Sequence, residues 1–278
     1  MFDLLLQDRL PTLSTPWIEN WRQHTLQHNK LAGVDLHTEF RSAATQYFIG
    51  TKLNQVQGLQ SLPVQDTILG CNHSIDALIM QYGLDSLQIF EHDYKYYSRL
   101  NINKTWAKPG SLVHDSPVLM AAPSPGYLDL HPNFDQILDE ALEKKCAVHL
   151  DCAWLGAARN INLDLTHPAI ASVSMSLSKS MDMYWNRIGV RYSRIQDDTN
   201  AVSVYNQHNM IHELPMIMAL VYLRQIPPDH VWNHYASEYD RLCVQLKLRP
   251  TKMVHVMQSL DRRKMFGTKT LLERTWRW

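Results

Sequence analysis

The chain has 278 residues, 45% of them hydrophobic, which is enough for one large domain or for one domain with a small appendage. Lysine plus arginine and aspartate plus glutamate both number 27, so no net charge attracts the protein to nucleic acid or to an anionic membrane. The amino terminus lacks the basic region of a signal peptide, and no stretch approaches the roughly 18 apolar residues of a membrane helix. We therefore expect a soluble, cytoplasmic protein that binds neither nucleic acid nor membrane.

The four cysteines show no paired spacing of the kind that binds metal ions, and His73, His149 and His167 show none either. Cys146 and Cys152 lie on or beside a predicted buried strand, where a free thiol behaves as a small hydrophobic group. These features predict a reducing compartment and no metal site.

The predicted elements follow a polar, helical amino-terminal arm over residues 1–45. Predicted strands cover residues 67–69, 86–90, 118–122, 147–151, 171–177 and 188–192. Predicted helices cover residues 74–82, 134–144, 215–224 and 231–246. Because strands alternate with helices, we expect an α/β fold with a mostly parallel sheet and helices on both faces, in three α/β/α layers.

Three polar or glycine positions fall at or just after the ends of predicted strands. They are Gly70, Asp151 and Lys179. In sheets of this type, ligands bind at the carboxyl ends of the strands. The sequence therefore predicts a binding site that these residues share.

The residues around Lys179 supply the chemistry that pyridoxal 5'-phosphate (PLP) requires. Lys179 lies in a Ser-x-Ser-Lys segment that starts at Ser176, Arg187 follows eight residues later, and Asp151 precedes the lysine by 28 residues. A lysine can form a Schiff base, a carboxylate can pair with a protonated pyridine nitrogen, and arginine with serine can bind phosphate. Taken singly, each is more ordinary: a surface lysine, an aspartate that caps a turn, a surface arginine.

At these positions the sequence resembles the aspartate aminotransferase superfamily, the fold-type I PLP-dependent enzymes. That family typically carries Asp-x-Ala-Tyr-x-Gly, then Ser-x-Ser-Lys, then arginine eight residues past the lysine. This chain has Asp-Cys-Ala-Trp-Leu-Gly at residues 151–156, followed by the matching lysine and arginine. The resemblance covers about residues 45–225. It implies a PLP-binding large domain over residues 46–228, and a reduced small domain over residues 229–278.

The resemblance assigns roles to further residues. Lys179 and Asp151 would be catalytic, and PLP would be the cofactor. Gly70, Cys71 and Asn72 would form the turn that binds the phosphate at a helix amino terminus. Tyr94 would stack on the cofactor ring, and Tyr47 would reach the phosphate of a second subunit. Ser176 and Arg187 would bind the phosphate. A homodimer with a shared active site would follow.

Two departures from the family lie around the phenolic oxygen of the cofactor. The family asparagine of Asn-Pro-x-Gly is absent from residues 122–126, Ala-Pro-Ser-Pro-Gly, where Ser124 could take its place. Trp154 replaces the family tyrosine, and an indole N–H donates a hydrogen bond but cannot accept one or ionise. These departures bear on amino transfer more than on PLP binding.

Four functions stay open at this point. The first is an aminotransferase that uses a small-molecule amino donor and acceptor. The second is a PLP-dependent lyase, decarboxylase or racemase on the same scaffold, since a fold does not determine a reaction. The third is a degenerate protein that binds PLP or a partner without turnover. The fourth, a helical module for nucleic acid or protein, is opposed by the balanced charge. No residue is assigned to the substrate carboxylate, because the arginines near the carboxyl terminus match no motif.

Overall fold

The structure, a computed structural model, describes residues 35–83, 85–100, 106–183, 185–268 and 272, with the backbone alone at 98–100. Most of the predicted arm lies outside these residues. The described helices are α1 (Leu36–Ile49), α2 (Cys71–Tyr82), α3 (Lys95–Leu100), α4 (Phe134–Glu143), α5 (Ala201–Gln207), α6 (Glu213–Gln225) and α7 (His230–Gln245). The described strands are β1 (Gln55–Gln57), β2 (Val64–Ile68), β3 (Val118–Ala121), β4 (Val148–Asp151), β5 (Asn162–Asp164), β6 (Ile170–Ser176), β7 (Gly189–Ser193), β8 (Leu248–Arg249), β9 (Val256–Ser259) and β10 (Met265–Gly267).

The central sheet has five strands in the order β2-β7-β6-β4-β3. Strands β3, β4 and β6 are parallel, and β7 runs antiparallel to both β6 and β2. All residues of β3 and β4 are buried, as is typical of parallel strands covered on both faces. The prediction of a mostly parallel sheet is confirmed.

Helices cover both faces of this sheet, which confirms the three-layer expectation. On one face, α1, α4 and α6 pack into the main hydrophobic core through residues such as Phe40, Ile137 and Met216. On the other face, α2 packs through Ile75 against a second cluster that includes Leu119 of β3. Because successive residues of β3 point to opposite faces, this short strand contributes to both cores.

The predicted strand over residues 86–90 is wrong as a regular strand. Gln88 forms one parallel bridge with Val118, and Phe90 forms one with Ala107. The chain turns immediately after Phe90, which leaves too few consecutive residues for a continuous ladder. These two bridges nevertheless extend the sheet beyond β3.

Helix α1 extends across the predicted boundary at residue 45. Asp35 caps it by accepting a hydrogen bond from the backbone N–H of His37 at 3.0 Å. Ala44 and Phe48, on either side of the boundary, are both buried in the main core. Helix α1 therefore packs into the main core on both sides of this boundary, and the division into arm and large domain stays a prediction.

The carboxyl-terminal part has its own small core. Helix α7 and the antiparallel sheet β8-β9-β10 enclose a cluster that includes Trp232, Tyr239 and Met257. Asp229, just before α7, joins this part to the large domain, since its carboxylate accepts hydrogen bonds at 2.6 Å from the Thr51 hydroxyl and from the backbone N–H that follows it. Within the described part of the chain, no helix has the length and apolar character needed to cross a membrane.

Candidate active site

The candidate site lies at one edge of the central sheet. Asp151 is the last residue of β4, Ser176 is the last residue of β6, and Gly70 immediately precedes α2, two residues after β2. Strands β2, β4 and β6 run in the same direction, so their carboxyl ends meet at this edge. The structure thus brings the residues at predicted strand ends together.

Asp151 is a buried carboxylate surrounded by hydrogen-bond donors. Its side chain accepts hydrogen bonds from the Tyr97 hydroxyl at 3.0 Å and from the backbone N–H of Ala153 at 3.0 Å. Burial raises the pKa of this carboxyl, and the donors, the thiol of Cys71 and the positive charge of Lys179 oppose that rise. A cationic group placed against Asp151 would offset its desolvation, which is what a protonated pyridine nitrogen can do.

Lys179 lies three residues beyond β6 and points towards an aromatic ring. Its Nζ lies 4.8 Å from the centroid of the Trp154 ring. That indole also contacts His255, whose ring lies edge-on at 5.6 Å between centroids. An ammonium over an aromatic face is attracted to the electron-rich face of the ring, so Trp154 orients the lysine.

The turn at Gly70 is built like an anion-binding cradle. Gly70 has a φ of 78°, and a Cβ there would lie 3.5 Å from Cβ of Arg187 and 3.7 Å from Oγ of Ser176. The Ser176 and Ser178 hydroxyls are 2.8 Å apart. No side chain caps the helix that starts at Cys71, so the first N–H groups of α2 face the same space as the arginine and the serines.

Tyr94 borders the space in front of Asp151. Asn72 partly offsets the rise in the pKa of the Tyr94 hydroxyl. The Tyr94 and Tyr97 rings meet edge-on with centroids 5.5 Å apart. Burial, together with the charge of Asp151, raises the pKa of Tyr94. The predicted stacking of Tyr94 on a cofactor ring stays a prediction.

Asp93 is a second carboxyl beside this space. It accepts hydrogen bonds at 2.9 Å from the backbone N–H groups of Ala121 and Tyr94. Burial is the largest influence and raises its pKa to about 7, and the charge of Asp151 adds to the rise. The Ser124 hydroxyl oxygen accepts a hydrogen bond from the backbone N–H of Gly126 at 3.2 Å, and the expected cofactor contact of Ser124 stays a prediction.

Tyr47 is buried within its own chain. Its side chain is only 6% exposed and packs near Gly156 and Ser180. The contact of Tyr47 with the phosphate of a second subunit stays a prediction. The homodimer itself stays a prediction.

Sequence reasoning did not assign Tyr97, Asp93 or His255. Tyr97 follows Tyr94 by three residues, a spacing that places both on one side of a helical turn, and this was the available signal. A single aspartate before a tyrosine-rich segment and a histidine 76 residues beyond Lys179 carry no comparable pattern. Among the described residues, no group of three or more His, Cys, Asp or Glu side chains is placed to bind a metal ion.

Two cavities open on either side of the Lys179–Trp154 contact. One, of about 590 Å³, is lined by Lys179, Ser178 and residues of α7. The other, of about 860 Å³, is lined by Trp154, Tyr94 and residues of the β9-β10 hairpin. The large domain and the carboxyl-terminal part thus enclose the space in front of the lysine, with enough volume for a small-molecule ligand.

Comparison with solved structures shows that the chain has the aspartate aminotransferase fold. No family model and no curated protein matches the sequence. Aspartate aminotransferase from Thermotoga maritima matches with a TM-score of 0.59 and 15% identity, over 90% of this chain and 76% of that chain. A PLP-bound C–S lyase from Staphylococcus hominis matches with a TM-score of 0.59 and 12% identity, over 87% and 71% of the two chains. Alanine aminotransferase from Pyrococcus furiosus matches with a TM-score of 0.57 and 11% identity, over 86% and 71%.

Proposed function

We propose that this protein is a PLP-dependent enzyme that acts on an amino acid or small amine, and that it is an aminotransferase. The observation that carries the proposal is the buried carboxylate of Asp151 within electrostatic reach of Lys179 and beside the cradle at Gly70. Aspartate, lysine and a phosphate cradle are the three contacts that the pyridine nitrogen, the aldehyde and the phosphate of PLP require.

The donor set fits the phosphate of the cofactor. Arg187 and Ser176 lie around the position where a Cβ on Gly70 would project, and the uncapped helix amino terminus adds backbone N–H donors. A guanidinium can donate two parallel hydrogen bonds to phosphate oxygens, and a helix amino terminus favours negative charge. These residues would hold the phosphate and so determine the position of the ring.

Asp151 would hold the pyridine nitrogen in its protonated form. When bound, the cofactor supplies an electron-accepting ring that stabilises negative charge at the α-carbon of an attached amino acid. Tyr97 and the backbone N–H of Ala153 keep the carboxylate in place through hydrogen bonds of 3.0 Å. A carboxylate fixed in a buried site interacts with a cation more strongly than one in water.

Lys179 would have two tasks. Its amine would anchor the cofactor through the aldehyde, and Nζ would carry a proton to and from the substrate α-carbon. Trp154 orients Nζ through its ring face at 4.8 Å. The lysine is therefore placed between the cradle and the two cavities, where a substrate would enter.

A lyase is the second candidate. A C–S lyase matches the chain with the same TM-score as an aminotransferase. In addition, Ser124 stands where the family that this chain resembles has an asparagine at the phenolic oxygen, and a change at that oxygen bears on amino transfer more than on PLP binding. Product analysis separates the two: an aminotransferase passes nitrogen to a 2-oxo acid, whereas a lyase releases a cleaved side chain and ammonia.

We also propose that the protein is a cytoplasmic homodimer. All four cysteines are free and buried, which agrees with a reducing compartment. Trp185 is 89% exposed and lies two residues from Arg187, and aromatic residues are enriched in protein interfaces relative to the rest of the surface. Light scattering of the purified protein tests the dimer, and a monomeric mass would contradict it.

The test is covalent trapping of the cofactor. The protein is mixed with PLP, reduced with borohydride, digested and mapped by mass spectrometry. We expect a pyridoxyl group on Lys179 of the wild type and none in Lys179→Ala. Lys52→Ala, at an exposed lysine that lines neither cavity, serves as the matched control and should leave the adduct unchanged. A protein that takes up no PLP, or a Lys179→Ala variant with full turnover, would contradict the proposal.

A further inference from the structure

The larger cavity beside Trp154 is unusually rich in aromatic side chains. Its volume of about 860 Å³ far exceeds what a small aliphatic side chain fills. The aromatic residues that line it are Phe90, Tyr94, Trp106, Tyr127, Trp154 and Phe266. Aromatic rings bury a large apolar area and interact favourably with one another edge-on or with offset stacking, so this lining favours an aromatic ligand over an aliphatic one.

The cavity runs away from the reactive lysine. It begins at Tyr94 and Trp154, which border the candidate active site, and reaches Trp106 and Tyr127. These last two residues also line an adjoining cavity of about 410 Å³ that reaches His131. A substrate whose α-carbon lies near Lys179 would therefore direct its side chain along this aromatic path.

The charges around the cavity favour an anionic ligand. Lys95, Arg262 and Arg263 line it, and Arg263 forms an exposed ion pair at 3.9 Å with Asp261, which is not part of the lining. Glu91 and Asp93 are the carboxyl groups there, and burial raises the pKa of Asp93 to about 7, so that group is only partly ionised at neutral pH. A positively charged lining opposes a purely cationic amine and attracts a carboxylate.

We propose that the amino acid handled at this site carries a large aromatic side chain, and that Trp106, Tyr127 and Phe266 select it. The proposal combines the aromatic lining with the excess of positive charge, because an aromatic amino acid presents both a ring and a carboxylate. It rests on the proposed function, since it names the substrate class of the same site. Phe266 is 40% exposed on the short strand β10, so replacing it disturbs no core.

Two unreactive acids test the selection without any turnover. Binding of 3-phenylpropanoate and of butanoate to the full chain is measured by titration calorimetry, with and without added PLP. Neither acid has an amine, so neither can react with the cofactor. We expect 3-phenylpropanoate to bind at least about tenfold more tightly, the scale by which an apolar pocket discriminates between ligands that differ in buried apolar groups.

Substitutions localise the preference. Phe266→Ala should remove most of the preference for the aromatic acid, and Tyr127→Ala should do the same if the first variant folds poorly. Leu260→Ala, at a 71% exposed position in the same hairpin that does not line the cavity, is the matched control and should keep it. Equal affinities of the wild type for the two acids, or an undiminished preference in folded Phe266→Ala and Tyr127→Ala, would overturn the proposal.

The two proposals fail in different ways. Absence of a borohydride-trapped pyridoxyl group on Lys179, with the aromatic preference retained, would reject the enzyme function and support the selection. Formation of that adduct without any aromatic preference would support the enzyme function and reject the selection. If both hold, amino transfer from phenylalanine should exceed that from alanine in the protein loaded with PLP.

Discussion

Asp93 gives the folded protein a dependence on pH that one substitution should remove. The carboxyl lies beside Asp151 and accepts two backbone hydrogen bonds, and burial raises its pKa from 3.8 to about 7. The folded protein therefore binds this proton more tightly than the unfolded chain does, so protonation favours folding. The resulting stability is fully present below about pH 4, declines as the pH rises, and is lost above about pH 7.

The magnitude follows from the pKa difference. A shift of about 3 units corresponds to about 4 kcal/mol, at about 1.4 kcal/mol per unit. This is an upper limit because Asp93 keeps part of its surface in solvent, which screens its charge. Even half of this energy is a sizeable part of the roughly 5–15 kcal/mol that stabilises a typical domain.

The assay is urea unfolding of wild type and Asp93→Asn between about pH 5 and about pH 8. The asparagine cannot accept both backbone hydrogen bonds, so we expect the variant to be less stable than the wild type by about 1–3 kcal/mol at about pH 5. The informative quantity is the difference between the two proteins, which should shrink towards high pH because only the wild type carries the cost of ionisation there. Asp85→Asn, at an exposed position, controls for the loss of one negative charge. A difference that is constant with pH would refute the reasoning.

Three further changes probe the buried ion pair of Arg191 with Asp66, the carboxylate of Asp151 and the cradle at Gly70. Arg191→Met leaves Asp66 buried without its partner at 2.6 Å, and should reduce the free energy of unfolding by about 3–5 kcal/mol in urea titrations. An unchanged midpoint would contradict a structural role for this pair. Tyr97→Phe removes a donor at 3.0 Å from Asp151, and should cost about 1–3 kcal/mol of stability in thermal denaturation. An unchanged melting temperature would show that this hydrogen bond does not stabilise the fold. Gly70→Ala places a Cβ in the cradle at a φ of 78°, and should weaken PLP binding in an absorbance titration; an unaltered dissociation constant would show that the cradle is not used.

The sequence pattern predicts most accurately the positions of residues that end regular strands. Asp151 ends β4, and Gly70 follows β2 just before α2, close to where the strand patterns placed them. This works because a buried parallel strand is a short apolar run, and the polar residue after it lies at the edge of the sheet. The departure at residues 86–90 has the opposite cause, since an apolar run alone does not ensure that a neighbouring strand continues beside it.

The sequence by itself determined the class of fold and the residues whose positions follow from local pattern: Lys179, Asp151 and the turn at Gly70. Only the tertiary structure decided which side chains surround them. Asp93 accepts a hydrogen bond from Ala121, 28 residues further along the chain, and no local periodicity encodes such a contact. The same holds for the aromatic cavity, whose walls come from separate segments that meet only when the carboxyl-terminal hairpin packs beside the large domain. Contacts between distant segments depend on how layers pack, and packing is a property of the whole chain.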